Sequence, residues 1–359
     1  MEEVLVRRST ATRPSRRTVS MVDVAAHAQV SQKTVSRVVN MEPHVREEVR
    51  LRVQNAIKEL GFRPNAAARS LVTRRTRRIG IVALGTTFYG PLSSLSALES
   101  VARADGYSLS IHRTDLTDRS EMQSAVDSLL DEGVEGIVLS EPMHFEDEPL
   151  AVHPDTGVLT LGARGLTDRE DEILAGSDEA SGARLATEHL LTLGHATVHH
   201  ISGPEIWVAT QLRRDGWKET LAEHGAEIPE TVSGNWSPQS GFEAMNRLLH
   251  SGRRPSAVFV ANDQMAIGAI SAIEAEGLDV PGDISVIGFD DIDVSEFLST
   301  PLTTLRQEFT LAAHYGMNQL IQAIDGSTPK ATPRLVPLSF VKRATTAPPR
   351  NITTATDER

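Results

Sequence analysis

Hydrophobic positions along the chain fall into two regimes. Between Ser20 and Leu60 they recur in short blocks at helical spacing. From Ile79 onward, short β-branched runs alternate with amphipathic stretches. The first regime opens with Ser20-Met21-Val22-Asp23, a Ser-x-x-Asp capping pattern in which the Ser20 hydroxyl accepts from exposed amides and Asp23 reaches back. A short helix to about Ala28 follows, then a turn at Gln29-Val30, then Ser31 as the cap of a second helix from Gln32 to Val39. On that helix Val35, Val38 and Val39 share one face, while Gln32, Lys33, Ser36 and Arg37 project from another. The clearest period belongs to a third helix carrying Val49, Val53, Ala56, Ile57 and Leu60, closed by Gly61 with Pro64 beyond it. Packed across the first two, it completes a small three-helix core, and the first two helices form a helix-turn-helix.

In the second regime the pattern predicts strands over 79–84, 107–111, 136–139, 158–161, 197–201, 257–260 and 284–288. Helices fall between them, for instance over 92–104 and 181–193. Continuous apolar strands alternating with helices imply parallel sheets covered on both faces, and two such sheets in two subdomains suit the length better than one very wide sheet. Ligands of such sheets bind beyond the carboxyl ends of the strands. Those ends carry Gly85 to Tyr89, Ser140-Glu141, Gly162, Ser202-Gly203-Pro204, Asn262-Asp263 and Phe289-Asp290-Asp291. Amides, carboxylates and hydroxyls pair with the hydroxyls of a small polar ligand, and aromatic faces cover its C–H side.

Charge separates the two regimes further. The 359 residues carry a net charge of −12, yet residues 1–78 hold 17 Lys+Arg against 7 Asp+Glu, and the remainder 19 against 41. A head of net charge +10 on a body of −22 points to nucleic acid as the head's partner and a different ligand for the body. Gln bonds bidentately to adenine and Arg to guanine in the major groove, so the polar face of the second helix has residue types that read bases. Residues 1–17 are polar and Arg-rich without a hydrophobic period, which predicts a disordered basic arm. The absence of cysteine excludes disulfides, cysteine-ligated zinc, iron–sulfur clusters and a thiol nucleophile. With no apolar leader and no run of about 18 apolar residues, the chain is expected to be cytoplasmic, neither exported nor membrane-spanning.

Several stretches resemble the lactose-repressor (LacI/GalR) family of bacterial transcription regulators. In the head they are residues 18–25, Val30-Ser31-Gln32-Lys33-Thr34-Val35-Ser36-Arg37-Val38-Val39-Asn40, and Glu59 to Leu71. In the body they are Leu212 to Trp217, Gly234-Asn235-Trp236, Val260 to Gly268, Asp283 to Asp291, Pro301 to Gln307 and Val336 to Arg343. The resemblance spans nearly the whole chain. It implies an all-α helix-turn-helix head on an α/β core of two doubly wound parallel-sheet subdomains, similar to periplasmic sugar-binding proteins. The corresponding divisions are a basic arm (1–17), the DNA-binding head (18–64), a hinge helix and linker (65–78), an effector-binding and dimerisation core (79–345) and a flexible tail (346–359). It also implies DNA contacts from Ser31, Gln32, Lys33, Thr34, Ser36, Arg37 and Asn40, and from the hinge residues Asn65, Ala68 and Leu71, with Leu71 as a wedge in the minor groove. Effector contacts implied in the same way are Arg213, Asn262 and Asp290, with Trp236 as a stacking platform and Phe88 as an apolar wall. Tyr89, Ser140, Trp207 and Gln307 complete the candidate set.

The chain departs from the family pattern at four places. Gln29 stands where the family has glycine in the helix-helix turn, and Arg46 where it has a serine cap. Gly162 replaces an acidic residue of the lactose-type members, and Trp207 a small polar one, so a carbohydrate is expected without a galactoside being singled out. A purine or other metabolite acting as corepressor stays open, as does a sugar receptor whose head no longer touches DNA; an enzyme lacks a plausible acid–base pair of carboxylates. Asp290-Asp291-x-Asp293 has the form of an acidic metal motif, and His195, His199 and His200 that of a zinc cluster. No nucleotide-sugar site accompanies the first, and adjacent histidines on a strand face opposite ways. No metal or cofactor is expected. The tail after Arg343 has no leucine heptad, which predicts a homodimer on a pseudo-palindromic operator without an added tetramerisation coil.

Overall fold

The computed structural model describes residues 19–40, 42–63, 70, 75–114, 118–140, 143, 149–162, 165–252, 254–327 and 333–350. The chain divides into two compact units at Thr76/Arg77, two residues before the expected end of the linker, because Arg78 already begins the first strand.

The smaller unit is built from α1 (Met21–His27), α2 (Gln32–Val39) and α3 (Glu47–Leu60). Ser20 and Asp23 form the capping box, Ser31 caps α2 by accepting from the Thr34 amide, and Gly61 closes α3 in the left-handed conformation at φ 63°. Val24, Ala25, Val35, Val38, Val53, Ala56 and Phe62 bury the core where the three helices meet. Arg46 offers α3 no side-chain cap, and Gln29 sits at φ 54°. A left-handed non-glycine residue costs about 1–2 kcal/mol.

The larger unit has two lobes. The first holds a six-stranded parallel sheet in the order β2 (Ser108–Thr114), β1 (Arg78–Leu84), β3 (Gly136–Leu139), β4 (Gly157–Leu161), β5 (Ile173–Ser177) and β11 (Arg334–Val336). The second holds a four-stranded parallel sheet, β7 (Val232–Ser233), β6 (His199–Ser202), β8 (Ala257–Val260) and β9 (Ser285–Ile287), beside an antiparallel pair, β10 (Thr304–Arg306) and β12 (Ser339–Val341). Strands such as Ala257–Val260 are buried throughout, the expected condition of a sheet covered on both faces. The chain passes between lobes after β5, after β10 and after β11, and the Asp178 amide donates to the Val336 carbonyl where two of these passages lie side by side. In the second lobe, helices Pro238–Leu249 and Asp263–Ala275 approach through reciprocal glycines. A Cβ on Gly268 would stand 1.8 Å from the Pro238 carbonyl oxygen, and one on Gly241 2.1 Å from that of Met265.

The expected strand bounds, the number of strands and the extent of the tail need correction. The second strand begins at Ser108 and runs to Thr114, and the strand expected to start at residue 197 starts at His199. Strands β5, β7, β10, β11 and β12 were not expected. The flexible tail does not begin at 346, because Thr346 is buried and the Ala347 carbonyl accepts from Ser285 Oγ at 3.0 Å, while Arg350 pairs with Asp283 at 2.9 Å. The histidines do not converge. His195 bonds Ser256, Ser285 and the Ala347 carbonyl, whereas His200 is buried between the rings of Trp217 and Phe259. Among the described residues no group of three His, Asp or Glu side chains is placed to hold a metal ion, and no helix is long and apolar enough to cross a membrane.

Two outcomes follow from this packing. Gln29→Gly is expected to stabilise the smaller unit by about 1 kcal/mol, slowing amide exchange at Val24, Val35 and Val53 about five-fold in the full chain; unchanged exchange would show that Gln29 bears no strain. Burial holds the His200 ring down at about pH 4, so below 6.5 the unfolded chain takes up a proton that the folded chain refuses. Its contribution to stability is present above about pH 6.5 and lost as pH falls through 4, amounting to about 3 kcal/mol. In His200→Leu the drop in urea stability between pH 7 and pH 4 should shrink by that amount, and an unaltered drop would contradict the assignment.

Candidate functional site

In the smaller unit, the polar face of α2 turns away from the valine core. Ser31, Gln32, Lys33, Arg37 and Asn40 are exposed, and Thr34 and Ser36 are half-buried. Part of this face is already engaged within the head. Ser31 Oγ accepts from the Thr34 amide and pairs with its hydroxyl at 2.9 Å, and Asn40 donates to Ser36 Oγ. Arg37 Nε lies 3.6 Å from Glu42, with both side chains about half exposed, an ion pair weak enough to exchange for a stronger anion. Asn65, Ala68 and Leu71 lie outside the described residues.

In the larger unit, all nine candidate effector residues line one cleft, which holds roughly 910 Å³ counting its open mouth. They arrive from segments far apart in sequence. Phe88 and Tyr89 follow β1, Ser140 follows β3 and Gln307 follows β10. Trp207 and Arg213 belong to the start of helix Val208–Glu223, and Trp236, Asn262 and Asp290 follow β7, β8 and β9. Trp207 links the aromatic wall, meeting Phe88 with ring centroids 6.4 Å apart and Trp236 edge-on at 5.5 Å. Its backbone bridges to Met143 of the first lobe, so the wall crosses between lobes. Gly162 and Gly176, at the ends of β4 and β5, lie back to back: a Cβ on Gly176 would stand 3.0 Å from the Gly162 nitrogen. That stretch of the floor is therefore bare backbone.

Arg213 is the electrostatic centre of the cleft. Its Nε donates to Glu179 at 2.7 Å and its Nη1 to the Ala261 carbonyl at 2.5 Å, while Nη2 faces Asp290 at 3.8 Å. The guanidinium carbon lies 3.8 Å from the centre of the Phe289 ring. Adjacent Arg214 turns outward to Glu205, which separates the two arginines by role. Burial pushes the Asp290 carboxyl up to about 6, partly offset by Arg213 and by the 2.7 Å hydrogen bond from Gln307. Burial, aided by the carboxylates of Asp293, Asp290 and Asp291, also raises the Tyr89 phenol above its usual value.

Holding these groups in place requires unusual backbone. Trp236, Asp290 and Asp291 sit at φ 72°, 111° and 55°, conformations that cost about 1–3 kcal/mol each in a non-glycine residue. The Asp290–Asp291 turn is held from both sides. Asp291 accepts a hydrogen bond from Arg306 and forms an ion pair with Arg343, each at 2.6 Å, which gives the acidic motif a structural use. Behind the turn, buried Asp263 accepts from the Ile292 amide, Ser295 and Thr304. Burial pushes its carboxyl up to about 7. Asn262 accepts from the Met265 amide as a helix cap and donates to the Trp236 carbonyl, so it fixes Trp236 as well as lining the cleft. Trp236 Nε1 is buried without a hydrogen-bond partner among the described residues. Glu179, Ser94, Ser177 and Phe309 also line the cleft and were missed in the sequence. Ser177 ends β5 and Glu179 follows it, and the carboxyl end could not be read while the strand itself went unrecognised.

Comparison with known proteins agrees with both halves of this architecture. The family of bacterial regulatory proteins of the lacI type matches residues 20–65, and the periplasmic binding protein-like domain matches residues 187–346. The lactose operon repressor of Escherichia coli K12 is 35% identical over 337 residues, covering 93% of this chain and 92% of the relative. The ribose operon repressor of the same strain is 34% identical over 315 residues, covering 86% of this chain and 94% of the relative. The crystal structure of the lac repressor dimer bound to operator and the anti-inducer ONPF superposes with a TM-score of 0.80 at 33% identity, covering 92% of this chain and all of that one. A helix-turn-helix head joined to a two-lobed periplasmic-binding-protein core, matched along nearly its whole length, makes this chain a member of the lacI family of bacterial regulatory proteins, a DNA-binding transcriptional regulator rather than an enzyme.

Proposed function

We propose that the protein represses carbohydrate-utilisation genes from the cytoplasm, binding a pseudo-palindromic operator as a homodimer and leaving it when a mono- or disaccharide fills the cleft. One observation carries the sugar reading: nine residues from distant segments converge on a single cleft that combines carboxylate, amide and guanidinium groups with an aromatic wall. Asp290 accepts from ligand hydroxyls, the buried Nε1 of Trp236 is a donor in want of an acceptor, and the Phe88–Trp207–Trp236 wall covers C–H faces. The acidic core leaves attraction for DNA to the head. There Gln32, Lys33 and Arg37 read bases, Ser31, Thr34, Ser36 and Asn40 support phosphate contacts, and Asn65, Ala68 and Leu71 engage the minor groove. Two lobes joined by three passages exchange open and closed arrangements, and a ligand favouring one shifts the population with a coupling of about 1–3 kcal/mol.

Gel shifts on upstream DNA, repeated across a mono- and disaccharide panel, test the whole reading. An active sugar should release operator, and Arg213→Ala should weaken that sugar at least about thirty-fold, because truncating a buried charge partner costs about 2–5 kcal/mol. Full release of the variant at the native sugar concentration would remove Arg213 from the site. Raising salt from 50 to 200 mM should weaken operator binding by about 10³–10⁵ if about 6–10 phosphates are contacted. A salt-independent affinity would count against the head as the DNA-binding element.

A further inference from the structure

The charges around the cleft are lopsided. Among the described residues lining it, Arg213 is the one Lys or Arg, and it stands between two carboxylates, Glu179 and Asp290. With all three ionised their sum is negative. Arginine recognises phosphate or carboxylate by presenting two N–H groups side by side. Here Nε is taken by Glu179, Nη1 by the Ala261 carbonyl, and a guanidinium face by the Phe289 ring.

The start of helix Glu179–Thr192 leads to the same conclusion. A helix N-terminus beside a cleft ordinarily attracts anions. Asp178 already caps this one, accepting from the Ser181 amide at 3.2 Å, and Glu179 places a second carboxylate in its first turn. Gly162 and Gly176 leave the neighbouring floor without a side chain, so at the ends of β4 and β5 the acidic group facing the ligand is Glu179.

We propose that Glu179 sets the charge class of the effector: it occupies Arg213, keeps its own carboxylate on the cleft wall, and so admits an uncharged polyhydroxyl ligand while rejecting phosphorylated or carboxylated ones. The identity of the admitted ligand rests on the sugar reading above; the rejection of anions rests on the charges alone. Glu179 is thus a specificity-determining residue that acts partly through Arg213.

The test is calorimetric titration of the full chain with inorganic phosphate and with glucose 6-phosphate, alongside glucose and cellobiose, for the native protein, Glu179→Gln and Glu179→Gln/Arg213→Gln. The native protein should ignore phosphate at about 10 mM, well above a millimolar dissociation constant. Glu179→Gln should bind both anions at least about ten-fold more tightly than the native protein, since like charges placed together cost several kcal/mol. The double variant should lose that gain. Native binding of phosphate or sugar phosphate that disappears in Arg213→Gln, titrated alongside, would overturn the proposal, and so would a folded Glu179→Gln with no gain. If Glu179→Gln does not fold, Glu179→Asp carries the test: its shorter carboxylate should open Arg213 in part and raise phosphate affinity, and no rise would overturn the proposal. An anion gain in Glu179→Gln without any neutral sugar binding the native protein would support the charge rule and sink the sugar reading alone.

Discussion

The larger unit is organised around one buried cation. Arg213 is almost completely withdrawn from water, and a buried charge persists only when paired and hydrogen-bonded. The fold meets that demand with groups from separate segments: Glu179 after β5, the Ala261 carbonyl after β8, and Phe289 and Asp290 after β9. Removing any one leaves the others mismatched, so the cleft keeps its shape because the arginine's partners cannot be rearranged cheaply. That stiffness also fixes where Asp290 and Gln307 present their oxygens.

Strain is the second ingredient. Asp290 and Asp291 are consecutive residues at positive φ, a conformation that Asp tolerates better than most non-glycine residues but that still costs energy. Arg306 and Arg343 hold the turn from one side, and the buried Asp263 with its three donors from the other. Gly288 is confined by the same arrangement, since a Cβ there would stand 2.1 Å from Asp263 Oδ1. A motif that reads in sequence as a run of acids divides in the fold: Asp291 anchors the turn, Asp290 lines the cleft and Asp293 is exposed.

Much of this was legible in the sequence, and the failures have physical causes. Helices α1, α2 and α3 announced themselves through caps and periodicity, and several of the short strands did not. β10 and β12 span three residues each, too few for a period, and β5 (Ile-Leu-Ala-Gly-Ser) follows a dense acidic stretch that masks its apolar start. Because β5 was invisible, so was its carboxyl end, and with it Glu179. Arg213 was found through its surroundings in sequence, but its pairing was not, since Glu179 lies 34 residues away on another helix. The tail misled for a related reason: Thr346, Ala347 and Arg350 are polar or small, and their anchoring to Ser285 and Asp283 is a tertiary fact without a local pattern.

The opposition of charge between head and core places a condition on any regulatory scheme for this chain. An acidic core is repelled by DNA phosphates, so operator affinity is a difference between attraction at the head and repulsion from the rest. Such a difference is easily tipped. A coupling of about 1–3 kcal/mol is small beside the electrostatic gain from about 6–10 phosphate contacts, yet it moves affinity by about 5–150-fold. An anionic effector would add charge to a core that already carries an excess of it, inside a cleft whose cation is committed. A neutral effector changes the population of lobe arrangements without that penalty, and the electrostatics of the cleft and of the whole chain then favour the same kind of ligand.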